Sequence, residues 1–203
     1  MEILQATENA IRKAAAIVRL GGVVIYPTDT VYGLGCNPAE AEAAKRICKI
    51  KGRADKPLPI ACSDMDAARR IVQFSPAAER VAAQFWPGPL MLVLLMKVEY
   101  SIWVTHGAST LGVRIPDNDI ARELAELSGG VIISTSANRS GEQPYQTAQG
   151  VADELGDEVD LILDGGPSPT RQSSTVLDLS GSHAWILRSG PITAEQIKEA
   201  LSR

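Results

Sequence analysis

The sequence holds little of what acid–base, metal or redox enzymes are usually built from. Among its 203 residues are two histidines, His106 and His183, far apart along the chain, and three cysteines, Cys36, Cys48 and Cys62. The cysteines are odd in number and too widely spaced for a CxxC pair or a zinc knuckle, so they read as small reduced hydrophobes. No apolar run spans a membrane: the longest, Leu90 to Met96, covers only a short strand. Met1 to Leu20 mixes Glu, Arg and Lys with small apolar residues, which excludes a signal peptide. Positive charge is not in excess either. Twenty Lys and Arg face 24 Asp and Glu, a net charge of −4, so no global basic field holds nucleic acid. There is no GxxxxGK[ST] and no strand-anchored GxGxxG, hence neither a P-loop nor a dinucleotide fingerprint. These absences point to a cytoplasmic protein without a membrane partner.

What is present is organised around Gly21 to Cys36. Val23 to Tyr26 form a strand that runs into Pro27, which has no amide hydrogen and ends the ladder. Thr28, Asp29, Thr30 and Tyr32 follow, and then Gly33 and Gly35, which either take positive φ or let the backbone approach another surface closely. Open α/β sheets place ligands at such strand ends. Elsewhere Thr7 caps a helix with Ile11, Ala14, Ala15 and Val18 on one face. Asn37-Pro38 opens a helix from Ala39 to about Lys49, Asp64 and Ser75 cap two more, and Thr193 with Gln196 forms a capping box before the last. Strands are expected near residues 58–61, 90–96, 111–115, 131–134, 161–163, 175–179 and 185–187. With 45% apolar and 22% charged residues, no repeat and no linker, the chain predicts one α/β domain over residues 1–203. Its short connections favour a twisted, mixed open sheet flanked by helices, with a concave anion-binding cavity, over a purely parallel sheet.

The chemistry-bearing residues gather at strand ends. Lys51, Arg53 and Lys56 form a basic loop after a helix, and a rigid guanidinium fork beside a mobile ammonium suits a polyphosphate. Ser134, Ser136 and Asn138 alternate along an extended segment, so their side chains are expected to point the same way. Arg114 falls in an apolar run, Leu-Gly-Val-Arg-Ile-Pro, and a buried arginine needs an anionic partner, either a protein carboxylate or a bound one. We expect the bound one. Ser173, Ser174 and Thr175 open another strand, and Arg188 closes a further one. With no Cys–His pair and no carboxylate dyad, this inventory fits a cavity that works by positioning and electrostatics.

Seven stretches then carry a resemblance: Pro-Thr-Asp-Thr-Val-Tyr-Gly-Leu-Gly, Lys-Gly-Arg with Lys-Pro-Leu behind it, Trp-Pro-Gly-Pro, Val-Arg-Ile-Pro, Ser-Thr-Ser-Ala-Asn-Arg-Ser-Gly, Ser-Thr-Val-Leu-Asp and Ile-Leu-Arg-Ser-Gly. In this order, from about Thr7 to Leu201, the sequence resembles the YrdC family. The resemblance implies a nucleotidyltransferase that condenses L-threonine, bicarbonate (or carbon dioxide) and ATP to threonylcarbamoyl-AMP and pyrophosphate. The product goes to proteins that modify adenosine beside the tRNA anticodon. Carried over residue by residue, it implies Lys51, Arg53, Ser136 and Asn138 as the catalytic set around the phosphates. Pro57, Thr110, Pro144 and Arg188 fall at ATP-contacting positions, and Thr30, Arg114, Ser134 and Ser174 at threonine-contacting ones. Many members carry a histidine in the strand after Lys-Gly-Arg, where this chain reads Leu-Pro-Ile-Ala-Cys, so Cys62 or Ala61 would line that wall. The resemblance further implies the short form without a C-terminal domain, Mg²⁺ arriving with ATP and no tightly bound cofactor. Direct contact with tRNA is expected to be weak, given the net negative charge.

Overall fold

The capping signals at Thr7, Asp64, Ser75 and Thr193 each have a helix behind them. The one at Asn37-Pro38 does not: Asn37 Oδ1 accepts from Ala39 N at 3.0 Å in a turn, and the helix expected from Ala39 starts at Ala41. The computed structural model describes residues 1–52, 56–170 and 172–202. The first third of the chain runs β1 (Glu2–Gln5), α1 (Glu8–Arg19), β2 (Val24–Tyr26), β3 (Gly33–Gly35), α2 (Ala41–Lys51) and β4 (Ile60–Cys62). It continues through α3 (Met65–Ile71), α4 (Pro76–Phe85), β5 (Leu90–Leu95), α5 (Ile102–Thr105), β6 (Thr110–Arg114) and α6 (Asp119–Leu127). The last part holds β7 (Val131–Ile133), β8 (Thr135–Ser136), α7 (Ala148–Leu155), β9 (Leu161–Asp164), β10 (Thr175–Asp178), β11 (Trp185–Arg188) and α8 (Ala194–Ser202). No helix among the described residues is long and apolar enough to cross a membrane.

The strands form two mixed sheets rather than the single one expected. One has five strands in the order β1-β9-β2-β3-β8, the other six in the order β11-β10-β5-β6-β4-β7. The chain passes between them at Ser134. Ile133 pairs with Ile60 in the larger sheet while its amide donates to Cys36 O at 2.9 Å, and Thr135 already pairs with Leu34 in the smaller. That crossing explains Gly35, where a Cβ would lie 2.2 Å from Ile133 O. Close approach, not positive φ, is the reason for the glycine there, since Gly35 is not among the positive-φ residues. β2 is buried on both faces: Ile25 enters a core with Ile47 and Ile60, while Val24 and Tyr26 pack against the small residues of α1 and α6.

The caps behave as local physics demands. Thr7, Ser75 and Asn118 each accept a hydrogen bond from the amide three residues on. Thr193 and Gln196 exchange reciprocal bonds, Thr193 N to Gln196 Oε1 at 2.8 Å and Gln196 N to Thr193 Oγ1 at 3.3 Å. Asp64 Oδ1 accepts from Ala67 N at 2.7 Å, and this bond holds the Asp64 carboxyl below the usual aspartate range. A depressed carboxyl contributes stability above its unfolded pKa, and that stability is lost as pH falls through the folded one. Asp64→Ala should therefore lower stability at neutral pH by about 0.5–2 kcal/mol, toward the smaller figure because Asp64 is exposed. In urea titrations its gap to the wild type should narrow below about pH 4. A gap independent of pH would mean that the carboxylate is not the cap.

Candidate functional site

Between the face of the larger sheet and the polar turns at residues 28–33, 134–141 and 173–174 lies a cavity of about 540 Å³. That is within the usual range for a small-molecule site. One wall is the end of α2 welded to the segment after β8. Lys51 is 3% exposed, and its Nζ donates to the Ser136 and Asn138 carbonyls, both at 2.6 Å. Asn138 Oδ1 and Ser136 Oγ lie 3.2 and 3.4 Å from the same nitrogen. The loop returns the contact, Ser140 N donating to Lys51 O at 3.0 Å and Arg139 Nη1 to Ile50 O at 3.1 Å. Asn138 Nδ2 closes the turn on the Arg139 and Glu142 carbonyls at 2.8 and 2.7 Å. The basic-loop reading of Lys51 is corrected here. It is the last residue of α2, buried against loop oxygens, and the left-handed Gly52 that caps the helix begins the loop.

Beside it lies the turn after β2, tied to that segment where Ala137 N donates to Tyr32 O at 2.8 Å. Thr28 Oγ1 donates to Val31 O at 2.6 Å, accepts from Thr30 N at 3.2 Å and lies 3.1 Å from Thr30 Oγ1, which fixes the Thr30 hydroxyl at the cavity edge. Tyr32 donates to Gly166 O at 2.7 Å, and burial together with the Asp164 carboxylate pushes its phenol up to about 12. It serves as a neutral strut. Ser174, which also lines the cavity, is held through its carbonyl by Arg188 Nε and Nη2 at 3.0 and 2.8 Å.

Arg114 also lines the cavity, and here the expectation of an arginine awaiting a ligand fails. Its side chain is 6% exposed and meets Asp29, itself 11% exposed. Nη1 lies 2.9 Å from Oδ1 and donates to Oδ2 at 3.2 Å; among the described residues Oδ1 is held by charge alone and accepts no hydrogen bond. The pair joins the turn of the smaller sheet to β6 of the larger. Because a guanidinium carries five N–H donors, Arg114 can hold its carboxylate and still offer donors to the cavity it lines.

Of the other residues singled out, Thr30, Pro57, Thr110, Ser134, Ser136 and Asn138 all line the cavity. Two do not. Pro144 is half-buried outside it, and Cys62 is fully buried in the core. Burial carries the Cys62 thiol far above its ordinary pKa. Cys62 and Ala61 alternate across β4, so they point to opposite faces, and Ala61 pairs with Arg114. Arg53 lies outside the described residues. Sequence marks Asp29 only as one of a polar cluster, and nothing in it distinguishes Asp178, which lines the cavity. Away from the cavity, Cys48 Sγ comes 3.6 Å from His106 Nε2, a pairing across 58 residues that the sequence did not suggest.

Residues 16–190 match the Sua5/YciO/YrdC family, described under the heading of telomere recombination. The chain belongs to this family. It is 39% identical over 196 residues to a Pyrococcus abyssi protein named threonylcarbamoyl-AMP synthase, an alignment covering 96% of this chain and 58% of that relative. It superposes on a crystal structure of P. abyssi Sua5 complexed with L-threonine with a TM-score of 0.93 and 38% identity, covering 98% of this chain and 60% of that one. A crystal structure of E. coli YciO gives 0.87 at 28% identity, with 97% of each chain covered. The chain thus spans less than two thirds of the P. abyssi relative's length, and nearly all of E. coli YciO.

Proposed function

We propose that the protein is a threonylcarbamoyl-AMP synthase, a nucleotidyltransferase acting on L-threonine, bicarbonate or carbon dioxide, and ATP. The observation that carries this reading is one cavity lined by two unlike sets of side chains. Hydroxyls of Thr30, Ser134 and Ser174 accompany the Arg114 guanidinium, and Ser136 and Asn138 are drawn together by Lys51. The first set suits a small hydroxylated amino acid, with a guanidinium for its carboxylate. The second suits phosphoryl oxygens, which accept from hydroxyl and amide donors.

In this reaction the threonine amine attacks the carbon of bicarbonate, a C–N bond forms, and water leaves. The carbamate oxygen then attacks the α-phosphorus of ATP, and the bond to the pyrophosphate leaving group breaks. Both reactants are anions, so their approach needs the cationic cover of Lys51 and Arg114, to which Arg53 adds its charge. As charge builds on the α-phosphoryl oxygens, donors already fixed by the Lys51 clamp stabilise it without reorganising. ATP brings its Mg²⁺ as part of the substrate, since Asp178 is the sole carboxylate among the described residues that line the cavity. The product would pass to tRNA-modifying proteins.

Incubation with ATP, labelled bicarbonate and single amino acids tests this. Pyrophosphate and a labelled adenylate should form only when L-threonine and bicarbonate are both present. Serine, lacking one methyl, should be used about 10- to 200-fold less efficiently. Pyrophosphate release without threonine, or equal turnover of bulky apolar amino acids, would overturn the proposal.

A further inference from the structure

The chain that leaves β11 crosses the entry to β10 and grips it at three alternate residues, 188, 190 and 192. Arg188 donates from Nε and Nη2 to Ser174 O at 3.0 and 2.8 Å. Gly190 lies directly on the same stretch of backbone. A Cβ there would be 2.4 Å from Thr175 N, 2.7 Å from Ser173 O and 2.7 Å from Ser174 C. Ile192 N donates to Thr175 Oγ1 at 3.0 Å, and that hydroxyl donates to Ile192 O at 2.8 Å. The intervening Ser189 and Pro191 are exposed. Gly190 is not among the positive-φ glycines, so the close approach of two backbones is what demands the missing side chain.

Both ends of this strap are fixed. Arg188 belongs to β11 and pairs with Val176 of β10. Beyond Ile192, the Thr193–Gln196 box starts α8, whose Ile197 and Ala200 enter the core together with Ala78 and Val81 of α4. The stretch beneath the strap ends the connection between β9 and β10, residues 165–174, and enters the sheet where Thr175 N donates to Pro89 O at 3.0 Å. Ser174 therefore stands just outside the ladder, 5% exposed and lining the cavity, with its carbonyl held from the far side by the strap. Ordinary contact to a methyl begins near about 3.5 Å, so an alanine at 190 forces the two backbones about 1 Å apart. The Ser174 hydroxyl moves with the peptide that carries it, and hydrogen bonds tolerate little displacement.

We propose that Gly190 is a positioning residue for the amino-acid substrate: the strap 188–192 sets the Ser174 hydroxyl in the cavity, and glycine at 190 lets it come close enough to do so. The inference rests on the synthase reading, because it takes Ser174 as a threonine contact. Neither Gly190 nor Ile192 lines the cavity, so both act through Ser174.

Calorimetric titration with L-threonine, alone and with an ATP analogue whose α,β bridge cannot be cleaved, tests it. Ser174→Ala should weaken threonine binding roughly 10-fold, the loss of one hydrogen bond. Gly190→Ala should weaken it by a similar factor. Thr175→Val keeps the volume but frees Ile192, so it should act in the same direction without forcing an atom between the backbones. It carries the test if Gly190→Ala does not fold. The double variants decide the matter. Added to Ser174→Ala, either substitution should cost less than about two-fold further, because the hydroxyl it would misplace is gone. A role confined to the fold would give the same loss with and without the Ser174 hydroxyl. That result overturns the proposal and leaves the synthase reading intact. So does wild-type threonine affinity in Ser174→Ala, or in both Gly190→Ala and Thr175→Val. A wild type that binds no threonine under either condition overturns both readings together.

Discussion

Arg114→Ala should unfold the substrate-free protein far more readily than the wild type, by about 3–5 kcal/mol. Truncation leaves the Asp29 carboxylate, 11% exposed, without its cation, and one of its oxygens already lacks a hydrogen bond. For a chain of this size each kcal/mol moves the melting temperature by about 2–4 °C, so the drop is on the order of 10 °C. Asp29→Asn should be milder, since it removes the negative charge but leaves an oxygen near Nη1 and strands the arginine only in part. The double variant Arg114→Met with Asp29→Leu separates charge from volume. If the penalty comes from an uncompensated charge, the double variant is more stable than Arg114→Ala alone. Both variants lacking Arg114 should also lose the melting shift that threonine brings, because a ligand stabilises only through its affinity for the native state. Unchanged melting of Arg114→Ala without substrate would show that the pair with Asp29 contributes nothing.

That pair also marks the border between what the sequence reveals and what it hides. Both residues are conspicuous: Arg114 lies in an apolar strand and Asp29 in a hydroxyl-rich turn. Their separation of 85 positions leaves the pairing to topology, and a choice between a bound anion and a carboxylate of the chain needs that topology. Features governed by three or four adjacent residues fared better. The caps at Thr7, Asp64, Ser75 and Thr193 follow from side chains reaching amides within the same turn. Strands made by distant partners were missed. β1 exists because Glu2–Gln5 lies along Leu161–Asp164, and β3, with two glycines in three residues, exists because it is paired on both sides, with β2 and with β8.

One residue of phase decided the error at β4. The strand runs Ile60–Cys62, and its period of two sends Ala61 toward Arg114 and Cys62 into the core. The same holds for Lys51, since the sequence pattern predicts a helix end near Lys49, two residues early. The apolar face of Ala43, Ala44, Ile47 and Cys48 continues through Ile50, and Lys51 completes the last turn. A lysine at the end of a helix reads as a solvated cation favoured by the dipole. Here it is buried because the segment after β8 delivers oxygens to it.

Lys51→Ala should for that reason damage both fold and activity, contrary to what a loop lysine would do. An ammonium has three donors, and the Ser136 carbonyl, the Asn138 carbonyl and Asn138 Oδ1 lie within 3.2 Å of it. Hydrogen bonds to a charged group are worth about 1.5–3 kcal/mol each, and the carbonyls stranded by the substitution resist burial. A destabilisation of about 3 kcal/mol is expected, read as a lower urea midpoint at unchanged slope. Amides of residues 136–142 should exchange faster in Lys51→Ala, since the loop loses its anchor. Turnover, measured as pyrophosphate release where the protein is fully folded, should fall about 10²- to 10³-fold as the phosphoryl donors lose their fixed geometry. Lys51→Arg keeps the charge but replaces a compact point of three donors by a planar fork, which cannot converge on the same carbonyls. It should recover little of the loop's protection. If Lys51→Arg restores exchange protection and turnover together, charge alone is what the loop requires and the clamp geometry is irrelevant. If Lys51→Ala instead leaves midpoint and exchange untouched while turnover collapses, the lysine acts on substrate only, and the oxygens around its ammonium do not depend on it.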